Sequence, residues 1–279
     1  MRAWLIYDKF EAVRNRHYIQ MYFDECSRRS IDLSLLLVED MIIGVKNDRC
    51  IVLYKGSELQ RPDFAICRAI KPLLTKQLEL MGIPVFNNYQ VASICNDKRK
   101  TYQYVSQANV PVMDTIFAHK GFSGEIRYPA VVKPAFGKGG RDVYLVRDPR
   151  ELKDALDRIP DPEIVIQRAA SDLGRDLRVY VIGRRIIAAM LRVSETDFRS
   201  NFCLGGRACI YDLDDDERRM VEDIISLFDF GLVGIDFIFH KGKPVFNEIE
   251  DVVGSRMLFA HTDINIVSEY LDFILGKMH

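Results

Sequence analysis

The amino-acid sequence predicts an α/β segment with a largely parallel sheet, followed by an α+β body. Up to about residue 92, short apolar stretches alternate with helical patterns, and that order is typical of parallel sheets. After Asp97, apolar stretches come in pairs joined by glycine-containing turns, which indicates antiparallel hairpins. The chain has 279 residues, of which 48% are hydrophobic, so it can bury a core divided into two or three lobes.

Strands and helices are expected to alternate through the N-terminal segment. Residues 2–8 form a buried apolar run, and apolar residues then recur on one helical face from Asn15 to about Arg29. A second helix is predicted at 73–82, because Gly82 and Pro84 end the pattern there. Further strands are expected at 31–40, 49–56 and 62–70.

The body after residue 97 is expected to combine hairpins with helices. Asp148 and Pro149 have the side chains of an N-cap and a first helical residue. Helices are predicted at 98–110, 149–160, 214–231 and 263–279. Strands are predicted on both sides of a loop within 128–146, at 163–170, and as hairpins at 176–193 and 232–250.

Composition argues against several classes of protein. The net charge of −1 is unlike the basic surface of a nucleic-acid-binding protein. The N-terminus has no signal-peptide pattern and no apolar run reaches the length of a membrane span, so we expect a soluble, cytoplasmic protein. The six cysteines form neither a CxxC pair nor a zinc-site spacing, which fits buried thiols in a reducing compartment. The first strand is not followed by GxGxxG, which argues against a dinucleotide site.

A glycine-rich loop follows an apolar strand that ends at Lys133. The loop reads FGKGG over 136–140 and leads into a second apolar strand. Glycine lets a loop turn its N–H groups toward a phosphate, and a lysine adds positive charge. The Walker A pattern is absent, and glycine turns between strands are common. The motif by itself therefore leaves both a phosphate site and a structural turn open.

Three carboxylates are expected on one face of the C-terminal hairpin. Glu248 and Glu250 are two residues apart in a strand, so their side chains share a face, and the intervening turn would bring Asp236 alongside. Such a group repels itself without a cation, and its oxygens suit magnesium. The alternative is a solvated acidic face, against which the apolar neighbours argue.

Arginines gather at predicted strand ends and in the loop that follows. Arg175, Arg178 and Arg192 belong to the hairpin, and Arg199 precedes Asn201 in the loop. Guanidinium groups bind phosphates and carboxylates with two parallel hydrogen bonds. Surface arginines are common in any protein, so each of these alone carries little weight.

Taken in order, these segments resemble the ATP-grasp superfamily over about residues 93–279. The nearest branch is that of the RimK-like ligases, which includes the ribosomal-protein glutamate ligases. The motifs that carry the resemblance are, in chain order, NDKRKT, VVKPAFGKGG, VIQRAA, RDLRVYVIG, DFRSN, VGIDFIF and NEIE. Their common order makes the match far more specific than any one motif. The segment before residue 93 resembles the preceding domain of this superfamily in type.

The resemblance implies an N-terminal parallel α/β (pre-ATP-grasp) domain over 1–92 and a two-lobed ATP-grasp fold. The small lobe with the phosphate loop would span 93–165, and the C-terminal lobe with the metal site would span 166–279. It also implies site residues. Those for the nucleotide are Lys98, Lys133, Gly137, Lys138, Gly139, Gly140, Gln167, Arg168, Ala169 and Asp176. Those facing the transferred phosphate and the substrates are Arg178, Arg192, Arg199 and Asn201, and the magnesium ligands are Asp236, Glu248 and Glu250.

In these roles, the lysines would bind the phosphates, the glycine loop would cover them, and backbone groups around Gln167 would read the adenine. Asp176 would reach the ribose or the adenine side of the pocket. The implied reaction is ATP-dependent ligation of a small carboxylate to an amine through an acyl phosphate, with a peptide or protein terminus as an alternative substrate. The implied cofactors are ATP and Mg²⁺, with Mn²⁺ as an alternative ion. Relatives of this type often form homodimers or homotetramers.

Three residues depart from the family pattern. Arg168 stands where the hinge usually has glutamate, and Glu250 stands where the metal motif usually has asparagine. Arg256 follows Gly254 and Ser255 in a turn that faces the substrate in the family, where it would bind a substrate carboxylate or neutralise Glu250. The competing hypotheses are a different acceptor, a phosphotransfer reaction, or a nucleotide-binding regulator without catalysis.

Overall fold

The structure is a computed structural model that describes residues 1–137, 139–140, 142–199 and 207–278. Its helices are α1 (Lys9–Arg14), α2 (Arg16–Arg28), α3 (Pro72–Leu80), α4 (Tyr89–Cys95), α5 (Lys98–Val105), α6 (Pro149–Arg158), α7 (Asp215–Ser226), α8 (Arg256–His261) and α9 (Ile266–Met278). Its strands are β1 (Arg2–Tyr7), β2 (Asp32–Leu37), β3 (Met41–Lys46), β4 (Arg49–Tyr54), β5 (Ser57–Glu58), β6 (Phe64–Cys67), β7 (Val85–Phe86), β8 (Thr115–His119), β9 (Ala130–Pro134), β10 (Tyr144–Val146), β11 (Glu163–Arg168), β12 (Asp172–Ile182), β13 (Arg185–Val193), β14 (Arg207–Ile210), β15 (Leu232–His240) and β16 (Lys243–Glu250).

The N-terminal segment is built on a parallel sheet in the order β2-β1-β6-β7, as the sequence predicts. β1 and β6 are apolar and almost wholly buried, because a parallel sheet is covered on both faces. The chain leaves β1 for β2 on one side and later returns to β6 on the other. The carboxyl ends of β1 and β6 therefore lie at the point where the strand order reverses, and such crevices commonly bind ligands.

A second, antiparallel sheet in this segment, β3-β4-β5, differs from the expected single strand at 49–56. β2 ends at Leu37 and a new strand begins at Met41. Asn47 and Asp48 both have positive φ, 49° and 60°, and they form the two-residue turn that pairs Lys46 with Arg49. Asn and Asp tolerate that conformation better than most residues, so the turn signal was present in the sequence.

Two antiparallel sheets follow, with the orders β10-β9-β11-β8 and β14-β13-β12-β15-β16. The hairpins predicted at 176–193 and 232–250 are confirmed. Asp148 caps α6 by accepting from the N–H groups of Arg150 and Glu151, as expected. The edge strands β8 and β14 were not predicted, because both are half-exposed and short.

The closing helix α9 packs back against α2 and the N-terminal sheet, in a core that includes Tyr7, Tyr22 and Tyr270. A separate core lies under the five-stranded sheet and α7. Cys26, Cys67 and Cys95 are buried free thiols, as the sequence predicts, whereas Cys209 is exposed and Cys203 lies outside the described ranges. None of the helices in those ranges is long and apolar enough to cross a lipid bilayer.

Candidate active site

A cleft lies between the sheet of β8–β11 and the sheet of β12–β16. Val131 and Ile238 give it apolar walls, and charged side chains gather at one end. Its lining residues are Lys98, Val131, Lys133, Pro134, Gly137, Gly139, Gly140, Val143, Gln167, Arg168, Ala170, Asp172, Leu173, Gly174, Arg175, Asp176, Phe198, Arg199, Asp236, Ile238, Asn247 and Glu248. A cleft with apolar walls and a charged end suits a ligand with one flat, apolar part and one anionic part.

Two lysines predicted to bind phosphates meet in this cleft. Lys133 lies on β9 and is buried, and its Nζ donates to Asn247 Oδ1 at 3.0 Å. Lys98 is the first residue of α5, and its Nζ donates to the Gly137 carbonyl at 2.9 Å. Burial lowers the pKa of Lys133 to about 8, and the neighbouring Lys98 adds to the decrease. An anionic ligand beside Lys133 would raise this pKa again, because it stabilises the charged form.

The three predicted metal-binding carboxylates also meet. In the β15–β16 ladder, Asp236 lies opposite Glu248 and Gly234 lies opposite Glu250. One oxygen from each carboxylate falls within 4.8 Å of the others. Three hard oxygen donors at this spacing fit the coordination that magnesium takes from protein and phosphate together.

Two buried arginines hold these carboxylates. Arg178 donates to both oxygens of Asp236, at 2.7 and 2.6 Å, and lies 2.8 Å from Glu250. Arg192 bridges Asp236 and Asp176. Burial alone would raise the pKa of Asp236, but the two guanidinium groups hold it below its usual range. Burial raises the pKa of Glu250, although Arg178, 2.8 Å away, and the more distant Arg192 act against the rise.

Asp176, Arg178 and Arg192 thus form a buried ion-pair chain with the metal-site carboxylates. Their guanidinium and carboxylate groups form hydrogen bonds and ion pairs with one another and with Asp236 inside the protein. The roles expected for these three toward the ribose, the transferred phosphate and the substrates remain predictions.

The glycine loop and the DFRSN segment are joined by Arg199. Its guanidinium donates to the Gly140 carbonyl at 2.9 Å and pairs with Asp197 at 2.7 Å. Gly137, Gly139 and Gly140 all have positive φ, which glycine adopts without strain. The predicted site residues Lys138 and Asn201 lie outside the described residues.

At the predicted hinge, the side chain of Gln167 points inward. Its Nε2 donates to the Tyr102 hydroxyl at 2.7 Å, and its Oε1 lies 3.4 Å from Lys133 Nζ. The N–H of Arg168 donates to the Asp114 carbonyl, and the N–H of Ala169 donates to the Pro129 carbonyl.

The next N–H along the chain, that of Ala170, lies in the cleft wall and has no hydrogen-bond acceptor among the described residues. Within the described part of the chain, this N–H is therefore available to a ligand. Tyr102, Asn247 and Ala170 are site residues that sequence reasoning missed. Adjacency to Glu248 did not reveal Asn247, because neighbouring residues of a regular strand point to opposite faces.

Arg256 begins α8 and is exposed, and it does not belong to the part of the described chain that lines the cleft. The cation that meets Glu250 is Arg178. The expected contact of Arg256 with a substrate carboxylate remains a prediction.

Comparison with known proteins adds to this geometry. A family model for the RimK-like ATP-grasp domain matches residues 95–274. The chain is 27% identical to beta-citrylglutamate synthase B of Danio rerio, over 99% of this chain and 74% of that protein. It is 28% identical to glutamate–LysW ligase ArgX of Sulfurisphaera tokodaii, over 77% of this chain and 83% of the relative.

A solved structure also resembles the whole chain. D-alanine–D-alanine ligase from Bacillus anthracis, complexed with ATP, superposes with a TM-score of 0.73. The alignment covers 100% of this chain and 97% of that chain at 16% identity, and a likeness at that identity speaks for the fold alone.

Proposed function

The chain belongs to the family of RimK-like ATP-grasp domains, and we propose that it is a ligase that uses ATP and magnesium to join a carboxylate to an amine. One observation carries the proposal: a single cleft is lined by two buried lysines and by Asp236 and Glu248, two members of the three-carboxylate cluster. Lys98 Nζ lies 3.7 Å from Glu248 Oε2, so the phosphate-binding and metal-binding groups adjoin.

The nucleotide would lie with its base between the apolar walls of the cleft. The free N–H of Ala170 supports a hydrogen bond to the base, and Lys98 and Lys133 support binding of the phosphates. The glycine loop, tied by Arg199, would cover those phosphates and exclude water. The division of the chain at 92/93 and 165/166 is part of the same proposal.

Asp236, Glu248 and Glu250 would hold the magnesium ion, and Mn²⁺ is an alternative ion for such oxygen donors. When bound, the ion supplies positive charge to the nucleotide phosphates. Arg178 and Arg192 keep the carboxylates in place through hydrogen bonds on their other sides. The buried arginine pairs thus fix the site before the nucleotide enters.

The reaction would proceed in two steps. A carboxylate oxygen of the acid substrate forms a bond to the γ-phosphorus as the bond to ADP breaks, giving an acyl phosphate. The amine nitrogen then attacks the carbonyl carbon, inorganic phosphate leaves, and the nitrogen loses a proton. The protein contributes position and charge rather than a covalent nucleophile. Two relatives are named for glutamate or citrylglutamate, which supports an amino acid or a peptide end as substrate.

The test is ADP release with ATP, Mg²⁺ and pooled amino acids and dipeptides, followed by mass detection of an amide product. Glu248→Gln keeps the shape of the side chain but removes its charge, so turnover should fall at least about 100-fold, as for other losses of a charge-stabilising group. Magnesium-dependent binding of ADP should weaken in parallel. Glu222→Gln, on the exposed face of α7, is the matched control. Tight ATP binding without turnover on any pool would contradict the ligase assignment.

A further inference from the structure

Arg68 and the tyrosines around it form a second buried cationic cluster, whose residues do not line the nucleotide cleft. Arg68 directly follows β6, and its backbone N–H donates to the Ile6 carbonyl, which sets it beside Tyr7 at the end of β1. The side chain of Arg68 lies over the Tyr18 ring at 5.5 Å. Tyr22 belongs to the same core. We call Tyr7, Tyr18, Tyr22 and Arg68 the Arg68 cluster.

Three polar atoms of this cluster lack partners among the described residues, whereas the Tyr18 hydroxyl accepts from the Ser255 hydroxyl at 3.4 Å. Arg68 is only 6% exposed, and its Nη2 donates a hydrogen bond to the Val253 carbonyl at 2.6 Å. Within the described residues, the Nε of Arg68 and the hydroxyls of Tyr7 and Tyr22 are buried without any hydrogen-bond partner. Among the described residues, no carboxylate lies within ion-pair distance of Arg68. The buried carboxyl of Asp251 is near enough for the Arg68 charge to act against the rise in its pKa that burial causes. A buried guanidinium without an anion is rare in a folded protein, and buried polar groups are normally paired.

The chemistry of the three groups suits an anion. Burial raises the pKa of Tyr7 to about 12 and that of Tyr22 above its ordinary value, so both hydroxyls keep their protons at neutral pH. The cluster therefore offers a positive charge and two O–H donors. A carboxylate accepts from all of these.

The position of the cluster connects it to the reaction. It lies at the carboxyl ends of β1 and β6, where the strand order reverses. Val253, which accepts from Arg68, follows the metal-bearing strand β16 by three residues. The next residue, Gly254, accepts from the Tyr180 hydroxyl at 2.9 Å. Gly254 is exposed, and a Cβ built there would meet no atom of the described chain within 4 Å, so the segment that carries Val253 reaches the surface one residue later.

We propose that Arg68, Tyr7 and Tyr22 bind a carboxylate of the amino-acid or peptide substrate, which makes this cluster a substrate subsite distinct from the nucleotide cleft. The inference rests on the proposed ligase function for the identity of the ligand. The anion site itself rests on the unpaired guanidinium and hydroxyls. A carboxylate there would be held next to the segment that follows the metal-bearing strand.

The test is binding without ATP, which separates this subsite from the ligase reaction. The full chain is titrated calorimetrically with L-glutamate, with acetate as the smallest carboxylate, and with inorganic phosphate. We expect both carboxylates to bind and to raise the melting temperature, with L-glutamate the tighter of the two. Arg68→Met should weaken L-glutamate binding about 30-fold, which is the scale of a lost charge-assisted hydrogen-bond pair.

The tyrosine variants distinguish ligand binding from a structural role. The hydroxyls of Tyr7 and Tyr22 have no partner in the free protein, so Tyr7→Phe and Tyr22→Phe should leave its melting temperature unchanged or higher while weakening L-glutamate binding about 5-fold to 10-fold. Tyr211→Phe is the matched control. The Tyr211 hydroxyl donates to Glu217 at 2.8 Å, and neither residue belongs to the Arg68 cluster. It should lower the melting temperature and leave binding unchanged.

Three results would overturn the subsite. One is that neither carboxylate binds; another is that wild type and the Arg68 and tyrosine variants bind alike. The third is phosphate binding that exceeds that of both carboxylates, which would assign the cluster to an inorganic anion. Carboxylate binding that depends on Arg68 in a chain without ligase turnover would leave the subsite standing and reject the proposed reaction. Ligase turnover in a chain whose carboxylate binding does not depend on Arg68 would support the proposed reaction and reject the subsite.

Discussion

The protein buries arginines in two places, and the two groups differ in whether carboxylates form ion pairs with them. Beside the metal-site carboxylates, Arg178 and Arg192 are saturated by Asp176, Asp236 and Glu250. In the Arg68 cluster, the guanidinium meets one carbonyl and the face of a tyrosine ring. The first arrangement is complete without a ligand, and the second is not.

The difference separates two uses of buried charge. A paired arginine fixes the geometry of its carboxylates, and removing it leaves negative charge stranded in the interior. An unpaired arginine adds little to the folded state, because its desolvation is not offset by an anion. Its contribution is expected when a ligand arrives. The following substitutions test that contrast.

The largest effect is expected for Arg178→Met. This substitution leaves buried Asp236 with Arg192 as its remaining ion-pair partner and removes the guanidinium from half-buried Glu250, so the free energy of unfolding should fall by about 3–5 kcal/mol in urea denaturation. Arg185→Met is the matched control, because Arg185 pairs with Glu269 at the same 2.8 Å but both side chains are exposed. The control should change stability by less than about 1 kcal/mol. Equal losses in the two variants would erase the distinction between the sites.

An intermediate effect is expected for Tyr180→Phe. The Tyr180 hydroxyl donates to the Gly254 carbonyl and so ties the five-stranded sheet to the segment beside the Arg68 cluster. Loss of one such hydrogen bond should lower the free energy of unfolding by about 1 kcal/mol. A loss as large as that of Arg178→Met would mean that this contact, and not the ion pairs, holds the two regions together.

The smallest effect on the free protein is expected for Arg68→Met. One carbonyl loses its donor, but an uncompensated charge also leaves the interior, so stability should change by less than about 1 kcal/mol in either direction. Urea denaturation with and without saturating L-glutamate measures both states. A loss of several kcal/mol without ligand would show that Arg68 stabilises the fold in the same way as Arg178.

Much of the fold could be predicted from the sequence, because many of its elements depend on residues that are close together along the chain. The buried strands of the parallel sheet, the hairpins at 176–193 and 232–250 and the Asp148 cap follow from apolar runs and turn residues. The β3–β4 hairpin was not predicted, although Asn47 and Asp48 are residue types that favour its two-residue turn. The edge strands β8 and β14 could not be predicted, since half-exposed strands lack a clear alternation.

The site was predicted unevenly for a physical reason. Asp236, Glu248 and Glu250 meet as the strand pattern requires. Asn247 should point to the opposite face from Glu248, yet it meets Lys133 in the cleft. The register shifts between Asp236 and Phe237, which leaves Asn247 as the extra residue of a bulge and redirects its side chain.

The sequence by itself determined the kinds of element, the order of the motifs and the chemical groups of the metal site, because these depend on neighbours along the chain. The tertiary structure alone decided which charges are paired. Arg178 and Arg68 are both arginines near the ends of apolar strands, and no local pattern separates them. Arg178 reaches its carboxylates through the β12–β15 pairing, where it lies opposite Asp236. Arg68 lies where segments 185 residues apart converge, and no described carboxylate is within ion-pair distance of it.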